Sequence, residues 1–252
     1  MKRISFFLVL VLFLASCDIL NDVAQQIDVP TTGGSNPLTE AEVISGLKEA
    51  LTIGTDSSVA KVSATNGFFN DQFIKILMPP EAEIITKNLD NPVLKSLGVT
   101  AMVDDVVLRM NRSAEEASKK AKPIFVNAIK QMSISDAFGI LRGSDTAATH
   151  YFRMNTHSQL YSEFKPIIKK YLDMDLVGGI STNQAWNTLT SAYNKVAQFS
   201  SSLTPVNTNL DDYVTKKTIN GVFVKLAEEE KQIRKDPVAQ VTDILKRVFG
   251  QI

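Results

Sequence analysis

Residues 100–132, "TAMVDDVVLRMNRSAEEASKKAKPIFVNAIKQM", decide the fold. Within them Val103, Val107, Met110, Ala114, Ala117, Ala121, Phe125, Ala128 and Met132 recur at steps of three and four. That period keeps one face of an α-helix turned to the same side over many turns. The alanines thin this face, so a partner helix can come close. Pro123 has no N–H to give to the ladder, and a kink or break is predicted there.

Helix signals extend outward in both directions. Thr39 and Glu42 have the spacing of a capping box, with Leu38 and Val43 placed as its hydrophobic staple. Val43, Leu47, Ala50 and Leu51 then line one face as far as Gly54, where the first helix is expected to stop. A second, short helix would carry Val59 and Val62 to Gly67. "FIKILMPP", residues 73–80, is the one stretch with extended character, and a lone strand cannot set a fold. "PEAEIITKNL" resumes helical character after it.

Toward the C-terminus, Ser133 and Asp136 predict a capped helix carrying Phe138 and Leu141 and closed by Gly143. Helices are expected at Thr146–Tyr171, at Thr182–Phe199 with the sole tryptophan Trp186, and at Asp211–Lys235. A last one would start with Asp236 as N-cap and Pro237 in the first turn. Its stripe is Val238, Val241, Leu245 and Val248, ended by Gly250. There is no internal repeat and no sustained heptad. The expected fold is all-α, a single multi-helix domain over residues 38–252.

The first 37 residues read differently. Lys2 and Arg3 precede the apolar run "FFLVLVLFLA", residues 6–15, which Asp18, Asn21 and Asp22 end too early for a membrane span of about 20 residues. Residues 1–16 therefore read as an export signal, with a single-pass anchor as the alternative. Leu14, Ala15, Ser16 and Cys17 resemble the lipobox of bacterial lipoproteins. That resemblance implies diacylglyceryl transfer to the only thiol of the chain and cleavage just before it. An ordinary soluble export signal would leave the position of the sole cysteine a coincidence. Lipidated Cys17 would thus anchor the protein, since stable anchoring takes more than one acyl chain. Residues 17–37 include "VPTTGGSNP", too polar and too rich in Gly and Pro to fold. They read as a flexible tether with a reach of roughly 25 Å.

Composition limits the partners. The chain carries 27 basic and 27 acidic residues. Removal of Lys2 and Arg3 with the signal would leave a formal charge of −2. No field of one sign exists to recruit nucleic acid.

Four blocks carry a resemblance to a known family. They are "GLKEALTIGTDSSVAKVS" at 46–63, "NRSAEEASKKAKPIF" at 111–125, "ISDAFGILRGSDTAATHYFR" at 134–153, and "LDDYVTKKTINGVFVKLAEEEKQIRKDPVAQVTDILKRVFG" at 210–250. Together they resemble a bacterial envelope lipoprotein family catalogued as domain of unknown function 4197. The resemblance implies an exported, mostly helical domain and brings no activity with it.

Few residues suggest chemistry. His150 and His157 are the only histidines, about 10 Å apart along a shared helix, too far for one metal ion. No G-x-S-x-G elbow and no phosphate-cradling loop with its lysine occurs. Three polar sets remain as candidate ligand-binding residues. Asn111 and Glu115 border the long stripe. Asp145, Thr149 and Arg153 share a helix start, where Asp145 could cap and Arg153 could reach a carboxylate. Glu230 sits in the stripe of Ile219, Phe223, Leu226 and Ile233, with Arg234 four residues on as its partner. Interhelical bridges that fix helix register explain the same residues.

The reading that follows is a lipid-anchored module of the bacterial cell envelope, its domain in the periplasm, in either membrane. It would act without a cofactor or metal and meet a protein or envelope partner through a helical surface. A carrier of an apolar or amphipathic ligand between helices is the alternative, and an enzyme using the Asp, Glu and Arg sets a weaker one.

Overall fold

The computed structural model describes residues 38–83, 92, 99–175, 179–198, 205, 209–236 and 242–249. The expectations for Cys17, the signal, the tether, Phe199, Pro237, Val238, Val241 and Gly250 lie outside these residues. Among the described residues the fold is all-α, with no strand. The helices are α1 (Glu40–Ser63), α2 (Val99–Ser118), α3 (Ala121–Gln131), α4 (Ile134–Leu141), α5 (Ala147–Leu172), α6 (Thr182–Ala197), α7 (Leu210–Lys235) and α8 (Asp243–Phe249). A 3-10 turn, Pro80–Ala82, follows α1.

The decisive stretch forms two helices rather than one. α2 ends at Ser118 and α3 starts at Ala121. The break falls where Pro123 requires it, because its ring would meet the carbonyl of Lys119, four residues back, in a continuous helix. Pro123 sits instead in the first turn of α3, where a missing N–H costs nothing. The stripe drawn across the break is buried as one surface from Met110 through Ala114, Ala117, Ala121 and Phe125 to Met132.

Both capping boxes form. The Thr39 hydroxyl accepts from the Glu42 N–H and the Glu42 carboxylate accepts from the Thr39 N–H; Ser133 and Asp136 repeat the exchange. The first helix does not stop at Gly54, however, and no second helix begins near Val59. α1 runs unbroken to Ser63, with Gly54 buried inside it. A Cβ on Gly54 would lie 3.3 Å from Ile233 Cδ1 of α7. This glycine lets two helices approach and does not end one.

α5 and α7 form the centre. α7 packs on α5 and on α1, α2 packs on α5, and α3 fills the angle between α1 and α5. Phe125 of α3 meets Phe152 edge-on at 5.1 Å between centroids and Phe223 at 6.2 Å. All three rings are fully buried, and such pairs add about 0.5–1.5 kcal/mol beyond the area they bury. No helix among the described residues is long and apolar enough to cross a membrane.

Candidate functional site

The polar residues selected from the sequence fall into two clusters and two outliers. The first cluster is built on α2. Asn111 is completely buried, and its amide exchanges two hydrogen bonds of 2.8 Å with the N–H and carbonyl of Ile76, as a neighbouring strand would. Its Nδ2 also donates to Val107 O at 2.7 Å. One turn on, the Glu115 carboxylate accepts from the N–H groups of Phe68 and Phe69 at 3.2 and 3.3 Å. Its other oxygen holds Arg112 at 2.6 Å, and Arg112 reaches Asn66 Oδ1 at 2.8 Å. Asn66 has φ 69°, a left-handed conformation that asparagine adopts more readily than other non-glycine residues.

These contacts fix residues 64–79, which have no helix or sheet ladder of their own. A buried N–H or carbonyl needs a partner, and α2 supplies side chains in place of one. Phe68 is thereby seated against Gly221 of α7, where an added Cβ would fall 2.5 Å from the ring. Lys225 of α7 holds the middle of the segment through Asp71 at 2.5 Å. Burial pushes the Asp71 carboxyl up, but the bonds from Lys225 and the Phe73 N–H outweigh it and hold the group below its usual range.

The second cluster joins α7 to the α4–α5 corner. Glu230 accepts from the N–H groups of Ala148 and Thr149 at 2.9 and 2.8 Å and from the Thr149 hydroxyl at 2.9 Å. Those are the second and third residues of α5, whose N–H groups no helical carbonyl can serve. Arg234 donates to Glu230 at 3.0 and 3.1 Å and to the carbonyl of Ile140, at the end of α4, at 2.8 Å. One ion pair on a single helix therefore satisfies the end of one helix and the start of the next. Both charges stand in the favourable place relative to the helix dipoles.

Asp145 and Arg153 do not take the expected roles. Asp145 does not cap α5; Thr146 is the N-cap residue, and its side chain makes no capping bond. Asp145 instead pairs with Lys235, which holds its carboxyl below the ordinary range. Arg153 reaches no carboxylate among the described residues. Its guanidinium lies 4.5 Å from the centroid of the Phe223 ring. Thr149 joins Glu230 as above, and among the described residues no hydrogen bond or ion pair links the α2 cluster to the α7 cluster.

Sequence patterning does not single out Glu229, which is nearly buried and bonded to Lys61 of α1. It stands three residues after Leu226 and four before Ile233, so the periodic pattern admits it as readily as Glu230, and its partner Lys61 lies 168 residues away. Among the described residues no group of three His, Cys, Asp or Glu side chains could hold a metal ion. His150 and His157 are both exposed.

The space beside the α7 cluster is small. A cavity of about 30 Å³ is bounded by Leu47, Leu51, Ile140, Leu226 and Ile233, with Glu230 and Arg234 at its edge. That is room for about one water molecule, far below the 300 Å³ or more of an ordinary ligand site. The surface is more open. Phe73 is 74% exposed and Leu77 61%, both on the segment clamped by Asn111, while Ile74 and Ile76 between them point inward.

Neither a curated protein nor a solved structure matches this chain. A family model does, over residues 37–250, which takes in all of the helical domain described above. The chain belongs to the family described as a protein of unknown function, DUF4197.

Proposed function

We propose that this chain is a lipid-anchored docking module of the bacterial cell envelope. Cys17 carries the lipid, residues 17–37 give the standoff, and the helical domain presents the Phe73–Leu77 ridge to a protein partner. The observation that carries this reading is the ridge itself. Two large apolar side chains stand in water on a segment that Asn111, Glu115 and Lys225 hold from beneath. Apolar surface kept exposed and in a fixed shape is the usual mark of a recognition surface. The cavity beside the α7 cluster has room for about one water molecule, which supports recognition at the surface rather than in that space.

The test is photo-crosslinking in intact cells from positions 73 and 77, with position 157 as an exposed control, beside fractionation of Cys17→Ser. One discrete crosslinked species from 73 or 77 and not from 157 is expected, with Cys17→Ser lost from the membrane fraction. A ridge that captures nothing sinks the docking reading. Retention of Cys17→Ser at the membrane sinks the anchor.

A further inference from the structure

A shallow groove of about 390 Å³ opens between the Pro80–Ala82 turn, α6 and the first turns of α7. The volume is within the range of small-ligand sites. Trp186 and Leu210 are buried in its floor, and Tyr213 lies half-buried beside them, its hydroxyl donating to Leu77 O at 3.1 Å. Charged groups of both signs stand around this apolar floor.

Those charges are not equivalent. Lys216 is bound to Asp212 at 2.8 Å, and Asp212 also accepts from the Tyr161 hydroxyl at 2.6 Å. That pair is neutralised within the protein. Lys225, Arg234 and Lys235 of the same helix likewise each hold a carboxylate. Lys217 and Glu81 differ: neither makes an ion pair or a hydrogen bond among the described residues. Both line the groove with Tyr213. Lys217 Nζ is 5.6 Å from the centroid of its ring. Burial raises the Tyr213 phenol above its usual pKa, and the negative charge of Glu81 adds to it.

A groove whose unpaired charges among the described residues are one carboxylate and one ammonium favours neither an anion nor a cation. It suits a molecule that carries both. We propose that this groove binds a small zwitterion of the amino-acid or dipeptide class. The ligand ammonium meets Glu81, its carboxylate meets Lys217 and the Asn220 amide, and its apolar part rests on Tyr213. This site adjoins the Phe73–Leu77 ridge through the Tyr213–Leu77 bond, but neither proposal depends on the other.

Trp186 is the sole tryptophan of the chain and lines the groove, so it reports on occupancy directly. The test is a fluorescence titration of the full chain in detergent with alanyl-alanine at millimolar concentrations. N-acetyl-alanyl-alanine amide, which has the same shape without charges, and a neutral disaccharide are titrated alongside. A saturable change with the zwitterion alone is expected. Glu81→Gln and Lys217→Met should each weaken it about tenfold, the scale of one charge-assisted hydrogen bond. Both side chains are exposed, so both variants keep the fold. The proposal is overturned if alanyl-alanine gives no saturable change, if the blocked dipeptide or the disaccharide matches it, or if neither variant weakens it.

Discussion

Glu115 and Glu230 are both carboxylates buried on a helix face, and both end on two backbone N–H groups of another segment. What they hold is different. Glu230 with Arg234 completes helices that already satisfy their own interiors, and only four N–H and four carbonyl groups per helix are left over. Glu115 with Asn111 holds residues 66–76, where neighbouring backbone supplies few bonds. The first arrangement closes a corner of the bundle. The second ties down a segment whose own backbone bonds are confined to turns, and that segment carries the exposed Phe73 and Leu77.

The comparison breaks first at Glu230. Glu230→Ala strands the Arg234 guanidinium in a nearly buried place and orphans the Ala148 and Thr149 N–H groups. Removing one partner of a buried pair costs about 3–5 kcal/mol. The urea midpoint should fall accordingly, with hydrogen exchange faster throughout the domain. A loss below about 1 kcal/mol would show that water replaces the carboxylate and that the corner needs no charge. Asn111→Leu should cost less, about 1–3 kcal/mol, and should act in one place. Exchange at the Ile76 N–H and its neighbours should quicken while α5 and α7 stay protected. Equal loosening of α5 would dissolve the distinction between corner and clamp.

Gly221 tests the seat of the clamped segment rather than its bonds. Gly221→Ala drives a Cβ into a buried ring, an overpacking cost of about 1–3 kcal/mol, while alanine returns about 1 kcal/mol of helix propensity. A net loss near 1 kcal/mol is expected from thermal unfolding. Gly54→Ala meets only the flexible end of Ile233 and should be close to neutral. A Gly221→Ala protein as stable as the parent would mean that Phe68 moves freely and the seat is not fixed.

How much of this is legible in the sequence follows from where each partner lies in the chain. Glu230 and Arg234 sit four residues apart on a periodic stripe, so the sequence alone pairs them. The targets of Glu230 are hidden from it, since Ala148 and Thr149 lie more than 80 residues back. Asn111 and Glu115 stand out as polar residues beside an apolar face, yet nothing local points to Ile76 or Phe68. Gly54 misleads for a related reason. A glycine that ends a helix and one that admits a neighbouring helix look alike within a few residues, and Ile233 decides between them. Asp145 fails as a cap because the helix starts one residue too late for it, with Thr146 at the N-cap position, and its carboxylate meets Lys235, 90 positions on.

The smallest effect belongs to Arg153, which, like Asp145, joins neither cluster. It is exposed and lies over the Phe223 ring, an arrangement worth about 0.5–1 kcal/mol at such sites. An arginine contributes through its aliphatic stem as well as its charge, so the two must be separated. Arg153→Lys keeps the charge and most of the stem, whereas Arg153→Met keeps the stem alone. A ring–cation contribution requires the lysine variant to stay near the parent and the methionine variant to lose a few tenths of a kcal/mol or more, within that same small range. Equal stability for both would assign the contact to packing. A larger loss, comparable with Glu230→Ala, would instead mean that Arg153 belongs to the corner, and the two-cluster division would need redrawing around α5.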